Sequence, residues 1–215
     1  MRTLILLLVL SLPALVWGQK RTAVPVNQLV QGRLDTIVSL LQLTPQDVVA
    51  DIGSGNGKNL VRLSAYYPPM RYHVEDIDSS TCNRRTFSKM IKAYNPAISI
   101  DSFTFHYGTP TATNLPKQYF TKILMIAVLH EFDSRDEMLA DIKSILQPGG
   151  LIYFEEPLTT TPRPVEKGCR NPYLTEAAFR EILQRNRIEI IREKPIPDAG
   201  DGQRYRKFFQ CKVGA

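Results

Sequence analysis

The sequence predicts a doubly wound α/β fold: a seven-stranded, mostly parallel sheet with helices on both faces and an antiparallel C-terminal strand. Three observations carry that prediction. From Leu29 to Val213, short β-rich runs alternate with stretches of helical periodicity. The run Val48–Ile52 is apolar on both sides of its alternation, as a central strand covered on two faces would be. The last two runs, Ile188–Glu193 and Tyr205–Lys212, have no helix between them and are expected to pair antiparallel.

Taken in order, Leu29, Val30, Leu34, Ile37, Val38 and Leu41 fall on one helical stripe that ends near Leu43-Thr44-Pro45. After the first strand come a glycine-rich turn, Gly53-Ser54-Gly55-Asn56-Gly57, and a helix through Leu60, Val61, Leu63 and Tyr66. Strand two spans Arg71 to Asp76, with a helix beginning near Ser79-Ser80. Ser102–Tyr107 and Lys122–Ala127 are strands three and four. Ser134-Arg135-Asp136-Glu137 has capping-box spacing and opens a helix that runs to Leu146, closed by Pro148-Gly149-Gly150. Leu151–Glu155 is strand five, followed by a loop from Pro157 to Tyr173 and a helix capped by Thr175. Pro197 to Gly202 is a turn-rich link between the last two strands.

A chain of 215 residues can bury a sizeable core, and neither a repeat nor a linker divides it. The net charge of +6 is scattered: Arg84-Arg85 and the group Arg204, Arg206, Lys207 are its only concentrations, and neither is interleaved with aromatics, so no nucleic-acid partner is expected. Cys82, Cys169 and Cys211 lie far apart and form no CxxC, which excludes a zinc ribbon and a disulfide-stapled mini-fold. Residues 1–18 combine Arg2, the apolar run Leu4–Leu10 and a Val16-Trp17-Gly18 end, the pattern of a signal peptide cleaved before Gln19. The stretch is short for a bilayer span. The expectation is therefore an exported protein, periplasmic or secreted, without stable membrane insertion after cleavage, whose single domain covers residues 19–215. An uncleaved membrane anchor is the alternative.

The turn after strand one identifies a ligand site. In doubly wound sheets ligands bind at the carboxyl ends of central strands. Glycines let the backbone approach a ligand, and N–H groups at a helix start favour a carboxylate or phosphate. The spacing is GxGxG with Asp51 two residues ahead, rather than the GxGxxG of dinucleotide sites.

On these residues the sequence resembles the class I S-adenosylmethionine-dependent methyltransferases, a Rossmann-like fold. Val48–Gly57 resembles their cofactor loop, His73–Asp78 their second strand and its terminal acid, Ile123–His130 their fourth strand, and Leu146–Gly150 their turn into strand five. The resemblance implies S-adenosylmethionine as cofactor. Asp51 and the backbone of Gly53, Ser54, Gly55, Asn56 and Gly57 would hold its amino-acid end, Asp76 the ribose hydroxyls and Ile77 the adenine. Glu75 is a rival to Asp76, because a shift of one residue would put it in the crevice. Gly108-Thr109 stands where the family often has Gly-Asp, so the carboxylate contact to the adenine amine would be missing or only partly replaced by a hydroxyl.

The Asn/Asp-Pro-Pro-aromatic sequence of amino-methylating relatives is absent after strand four. Val128-Leu129-His130-Glu131-Phe132 instead resembles the branch that methylates oxygen, carbon or sulfur of small molecules. His130 and Glu131 are the candidates for removing a proton from the acceptor, and Glu155-Glu156 leave strand five toward the same edge with opposite orientations. No converging metal-ligand set is read from the sequence, so no metal is expected. Because the charged cofactor is made in the cytoplasm, an exported protein of this fold has a second reading, a non-catalytic protein binding another ligand.

Overall fold

A computed structural model describes residues 26–197 and 203–214. The expected signal segment and part of the Pro197–Gly202 turn lie outside them. The elements are α1 (Gln28–Leu41), β1 (Val49–Ile52), α2 (Lys58–Ser64), β2 (Tyr72–Asp76), α3 (Arg84–Tyr94), β3 (Phe103–Tyr107), β4 (Phe120–Ile126), α4 (Arg135–Ile145), β5 (Leu146–Thr159), β6 (Leu174–Thr175), α5 (Glu176–Arg185), β7 (Ile188–Ile196) and β8 (Arg204–Val213). They build an eight-stranded sheet in the order β3-β2-β1-β4-β5-β8-β7, with the two-residue β6 paired to β5. Strand β8 alone runs against its neighbours, which is the antiparallel C-terminal strand that the missing crossover helix predicts.

The period of two sorts the core into two layers. On one face Val49, Val74, Leu124, Tyr153 and Phe208 pack with Leu34 and Ile37 of α1, Leu60 of α2 and Phe87 of α3. On the other, Ala50, Ile52, Ile123, Met125, Phe154 and Phe209 pack with Leu139 and Ile142 of α4 and Phe179 and Leu183 of α5. The arrangement is a sheet between two helical layers, as a strand apolar on both sides requires. No described helix is long and apolar enough to cross a membrane.

Several boundaries differ from the sequence expectation for local reasons. Helix α3 starts at Arg84, not near Ser79, because the Asp78 carboxylate takes the Ser80 N–H and both the Ser80 and Thr81 hydroxyls into a turn; Asn83 then caps the helix by accepting from Thr86 N. The capping box at Ser134 does not form: its ψ of 65° departs from the extended backbone an N-cap needs, and its side chain makes no cap hydrogen bond. Thr175 does cap α5, accepting from Ala178 N at 3.2 Å. Strand β5 begins at Leu146 and runs on past Glu155 through Pro157 to Thr159. Pro157 pairs with Arg206 on one side, while on the other β4 ends at Ile126–Glu155 and β6 begins at Leu158–Leu174. The proline thus occupies a gap between neighbouring strands, where a missing N–H is tolerated.

Candidate functional site

The strand order reverses between β1 and β4, and there the carboxyl ends of β1, β2, β3 and β4 surround a crevice of about 280 Å³. Its walls carry Gly53, Glu75, Asp76, Ile77, Thr109, Val128, Glu131 and Arg170.

The glycine turn is held from both sides. Ser54 N donates to Glu75 O at 2.9 Å, and Ser54 Oγ donates within reach of both the Asp51 backbone oxygen and its Oδ2, each at 2.8 Å. Gly55 N donates to Asp76 Oδ2 at 2.8 Å. Gly53, Gly55 and Gly57 all have positive φ (66°, 54° and 77°), but the space around them differs. A Cβ on Gly53 would lie 2.2 Å from Val128 Cγ2, and one on Gly57 would lie 2.4 Å from the Phe87 ring; on Gly55 it would meet nothing within 4 Å. Protein packing therefore explains two of the glycines, and the third leaves its face open. Asn56 is exposed and accepts from Lys58 N at 3.0 Å. The expected helix beyond this turn is only the seven residues of α2, and the amides of Gly53, Ser54, Gly55 and Gly57, expected from the sequence to meet a ligand, are taken by Glu75, Asp76 and the Ser54 carbonyl.

Asp51 is buried, and desolvation pushes its carboxyl up to about 7. Asp76 is half-buried; its Oδ1 also accepts from Asp78 N at 2.9 Å. Each carboxylate oxygen keeps a lone pair for a hydroxyl donor. Ile77 is 51% exposed beside it, an apolar surface facing the crevice. Glu75 lies on the crevice wall with Asp76. It is buried, its Oε1 has no hydrogen-bond partner, and burial with the neighbouring Asp76 charge raises it to about 8, opposed in part by the Gly53 and Gly108 amides. Gly108 is glycine because a Cβ would lie 2.1 Å from that oxygen. Thr109 lines the crevice, while its hydroxyl accepts from Ala112 N at 3.1 Å and closes its own turn.

After β4 the chain turns at Ala127, which has a φ of 54° and donates its N–H to Glu155 O. Glu155 and Glu156 then point oppositely, as their alternation requires. Glu155 is fully buried against Arg33 and Arg206. Glu156, also fully buried, accepts through Oε1 from Val128 N (3.1 Å) and Leu129 N (2.7 Å), and its Oε2 lies 2.9 Å from His130 Nδ1. Burial raises the Glu156 carboxyl above its ordinary range, while these donors work against it. His130 is only 2% exposed, and Tyr173 meets its ring edge-on at 4.9 Å. Glu131 does line the crevice: its Oε1 lies 3.2 Å from His130 Nε2 and its Oε2 accepts from Arg170 N at 2.7 Å. His130 therefore stands behind Glu131 rather than beside it on the crevice wall. Sequence reasoning did not connect Glu156 to His130, nor place Cys169 beside them. The strand period signalled the first; no local pattern signals the second, because Cys169 lies 38 positions beyond Glu131.

Residues 50–154 match the family model described as a methyltransferase domain. Comparison with the curated proteins finds no match. Among solved structures, an O-methyltransferase from a trans-AT PKS multienzyme of Brevibacillus brevis, in complex with S-adenosyl-L-homocysteine, is similar at 15% identity and a TM-score of 0.62, over 86% of this chain and 72% of that one. Geranyl diphosphate C-methyltransferase from Streptomyces coelicolor A3(2), in complex with Mg2+, geranyl diphosphate and S-adenosyl-L-homocysteine, is similar at 12% identity and a TM-score of 0.67, over 85% and 78%. The [4+2]-cyclase SpnF has the same fold at 12% identity and a TM-score of 0.67, over 85% and 80%.

Proposed function

We infer that the protein, with its methyltransferase-domain match over residues 50–154, is a class I methyltransferase that transfers a methyl group from S-adenosylmethionine to a small-molecule acceptor. The observation that carries the reading is the open face of Gly55 beside Asp76 in a crevice at the strand-order reversal. The residues fit the hydroxyl and ring parts of the cofactor: Asp76 offers acceptors to a pair of hydroxyls and Ile77 an apolar surface to an aromatic face, whereas the amides of Gly53, Ser54, Gly55 and Gly57 donate within the protein. Glu75, with its unpartnered oxygen, is the carboxyl at the Gly108 edge. We assign it the adenine-amine contact that Thr109 does not provide.

When bound, S-adenosylmethionine supplies an already activated methyl group. What remains for this chain is alignment, exclusion of water and, for an acceptor that carries a proton, its removal. Glu131 faces the crevice to do so, oriented by Arg170 N–H and by His130, which Glu156 holds in turn. The neighbours named above include O- and C-methyltransferases, in keeping with an oxygen, carbon or sulfur acceptor here.

The test is calorimetric titration of the purified protein with S-adenosylmethionine and with S-adenosylhomocysteine, alongside Asp76→Ala and Gly55→Val. The expected result is binding of both ligands, weakened at least about tenfold in each variant, or ~1.4 kcal/mol. A folded protein that binds neither ligand at millimolar concentration overturns the reading. The second reading, an exported non-catalytic protein of this fold binding another ligand, would then take its place. Export itself we propose from residues 1–18, to be checked by fractionation and the mass of the amino terminus.

A further inference from the structure

His130, Glu131 and Cys169 bring a ring nitrogen, a carboxylate oxygen and Sγ within 4.8 Å of one another, the histidine buried and the other two half-buried. Two come from the turn after β4 and the third from the loop between β5 and β6, whose ends are held by the pairing of Leu158 and Thr159 with Leu174 and Thr175.

The donor set in this cluster is that of a cation site. Glu156 takes two backbone amides through Oε1 and faces His130 Nδ1 with Oε2; in the Nδ1–H tautomer that contact leaves Nε2 a lone pair, facing a Glu131 carboxylate oxygen at 3.2 Å with Cys169 alongside. Without an ion the Cys169 thiol is hydrogen-bonded to Glu131 and Tyr173; an ion that displaces the thiol proton engages nitrogen, oxygen and sulfur together.

We propose that His130 Nε2, Glu131 Oε1 and Cys169 Sγ form a three-ligand site for a zinc-class divalent ion at the wall of the crevice. In a tetrahedral zinc site, with Zn–N and Zn–O bonds of about 2.0–2.2 Å, neighbouring N and O ligand atoms stand about 3.4 Å apart, close to the 3.2 Å between Nε2 and Oε1. The surrounding contacts are those that orient metal ligands. A carboxylate holds the far nitrogen of the histidine, and the Arg170 amide occupies Glu131 Oε2, leaving Oε1 for the metal. A nitrogen, sulfur and single-carboxylate set suits zinc rather than magnesium or calcium, which prefer all-oxygen shells. Three protein ligands leave a fourth position for water or for a thiol or hydroxyl of an acceptor, which the ion would hold deprotonated; in the ion-loaded protein this takes the place of proton removal by Glu131. The sequence expectation of no metal considered only a carboxylate–amide set; this trio is assembled by the fold. The site does not depend on the cofactor reading.

The test is a titration of chelator-treated protein, without S-adenosylmethionine, with Zn2+ against a chromophoric competitor and with Co2+ followed by absorption. One equivalent of zinc is expected, with a near-ultraviolet thiolate-to-cobalt charge-transfer band. Cys169→Ser, on a half-exposed loop position, should abolish the band and weaken zinc at least about tenfold, and Glu156→Gln should weaken it roughly 10–100-fold. A native circular-dichroism spectrum is required of each variant. Folded wild-type protein that binds no stoichiometric zinc, or zinc affinity that Cys169→Ser leaves unchanged, overturns the proposal. Cofactor binding is titrated separately on metal-free protein, so either reading can fail alone.

Discussion

Exchanging one oxygen of Glu75 for nitrogen should change how stability responds to pH. In the unfolded chain this carboxyl titrates near its ordinary 4.5; in the folded protein burial and Asp76 delay ionisation to about 8. The folded pKa is raised, so the native state holds the proton longer. The stability tied to Glu75 is whole below about pH 4.5 and is lost as pH rises through 8. At about 1.4 kcal/mol per pH unit, full ionisation weakens the native state by up to roughly 5 kcal/mol. Asp51, raised to about 7, adds a loss of the same sign at lower pH. His73 and His106, held below their ordinary 6.5 by burial, pull the other way in that range. Over the step from pH 7 to 8 Glu75 loses about 1 kcal/mol and Asp51 about 0.4 kcal/mol more. Urea unfolding should therefore show the wild type losing about 1 kcal/mol more over that step than Glu75→Gln. Equal losses in both proteins would refute the argument, since they would mean that Glu75 ionises in the folded state without penalty.

Gly55 and Gly57 should respond differently to alanine. Gly55→Ala should cost only about 1–2 kcal/mol from its left-handed backbone yet reduce cofactor affinity, whereas Gly57→Ala, striking the Phe87 ring, should add roughly 1–3 kcal/mol of overpacking; thermal melts and calorimetry on the pair separate ligand contact from turn geometry. Arg33→Met strips the bidentate partner from fully buried Glu155 and should cost about 3–5 kcal/mol in urea unfolding, less to the extent that Arg206 compensates. Glu176, lowered to about 2 by Lys207, Tyr205 and Arg180 against the opposing pull of desolvation, contributes stability above its ordinary 4.5 that disappears as pH falls toward 2. Glu176→Gln should therefore lose about 1 kcal/mol at pH 7 and converge with the wild type near pH 2.

The central sheet was legible because each buried strand carries its own evidence. Val49 and Ala50, Leu124 and Ile123, and Tyr153 and Phe154 separate onto the two core faces that their alternation predicts. The position of the crevice was legible for a related reason: Asp51, the glycine turn and Asp76 occupy strand ends, so pattern and place coincide. The element ends were less readable. Asp78 delays α3 through side-chain bonds that Ser79-Ser80 does not reveal, and β5 passes through Pro157 because its neighbour changes from β4 to β6. The cluster around His130 was the least readable. The partnership of His130 with Glu156 requires knowing which face of β5 each carboxylate takes, and Cys169 arrives through a loop whose path no periodicity encodes.

That loop has a consequence for how the protein can diversify. Its two ends are stitched side by side where β5 meets β6, and Thr160 N adds a bond to Gln203 O. Residues 161–173 thus leave the sheet and return to almost the same point, and each doubling of such a loop's length costs only about 0.6 kcal/mol in closure entropy. The wall that carries Arg170 and Cys169 can be lengthened, shortened or rewritten while β1 to β4, and the cofactor crevice at their ends, stay as they are. Divergent descendants of this chain would then differ first in what they accept, and last in what they donate.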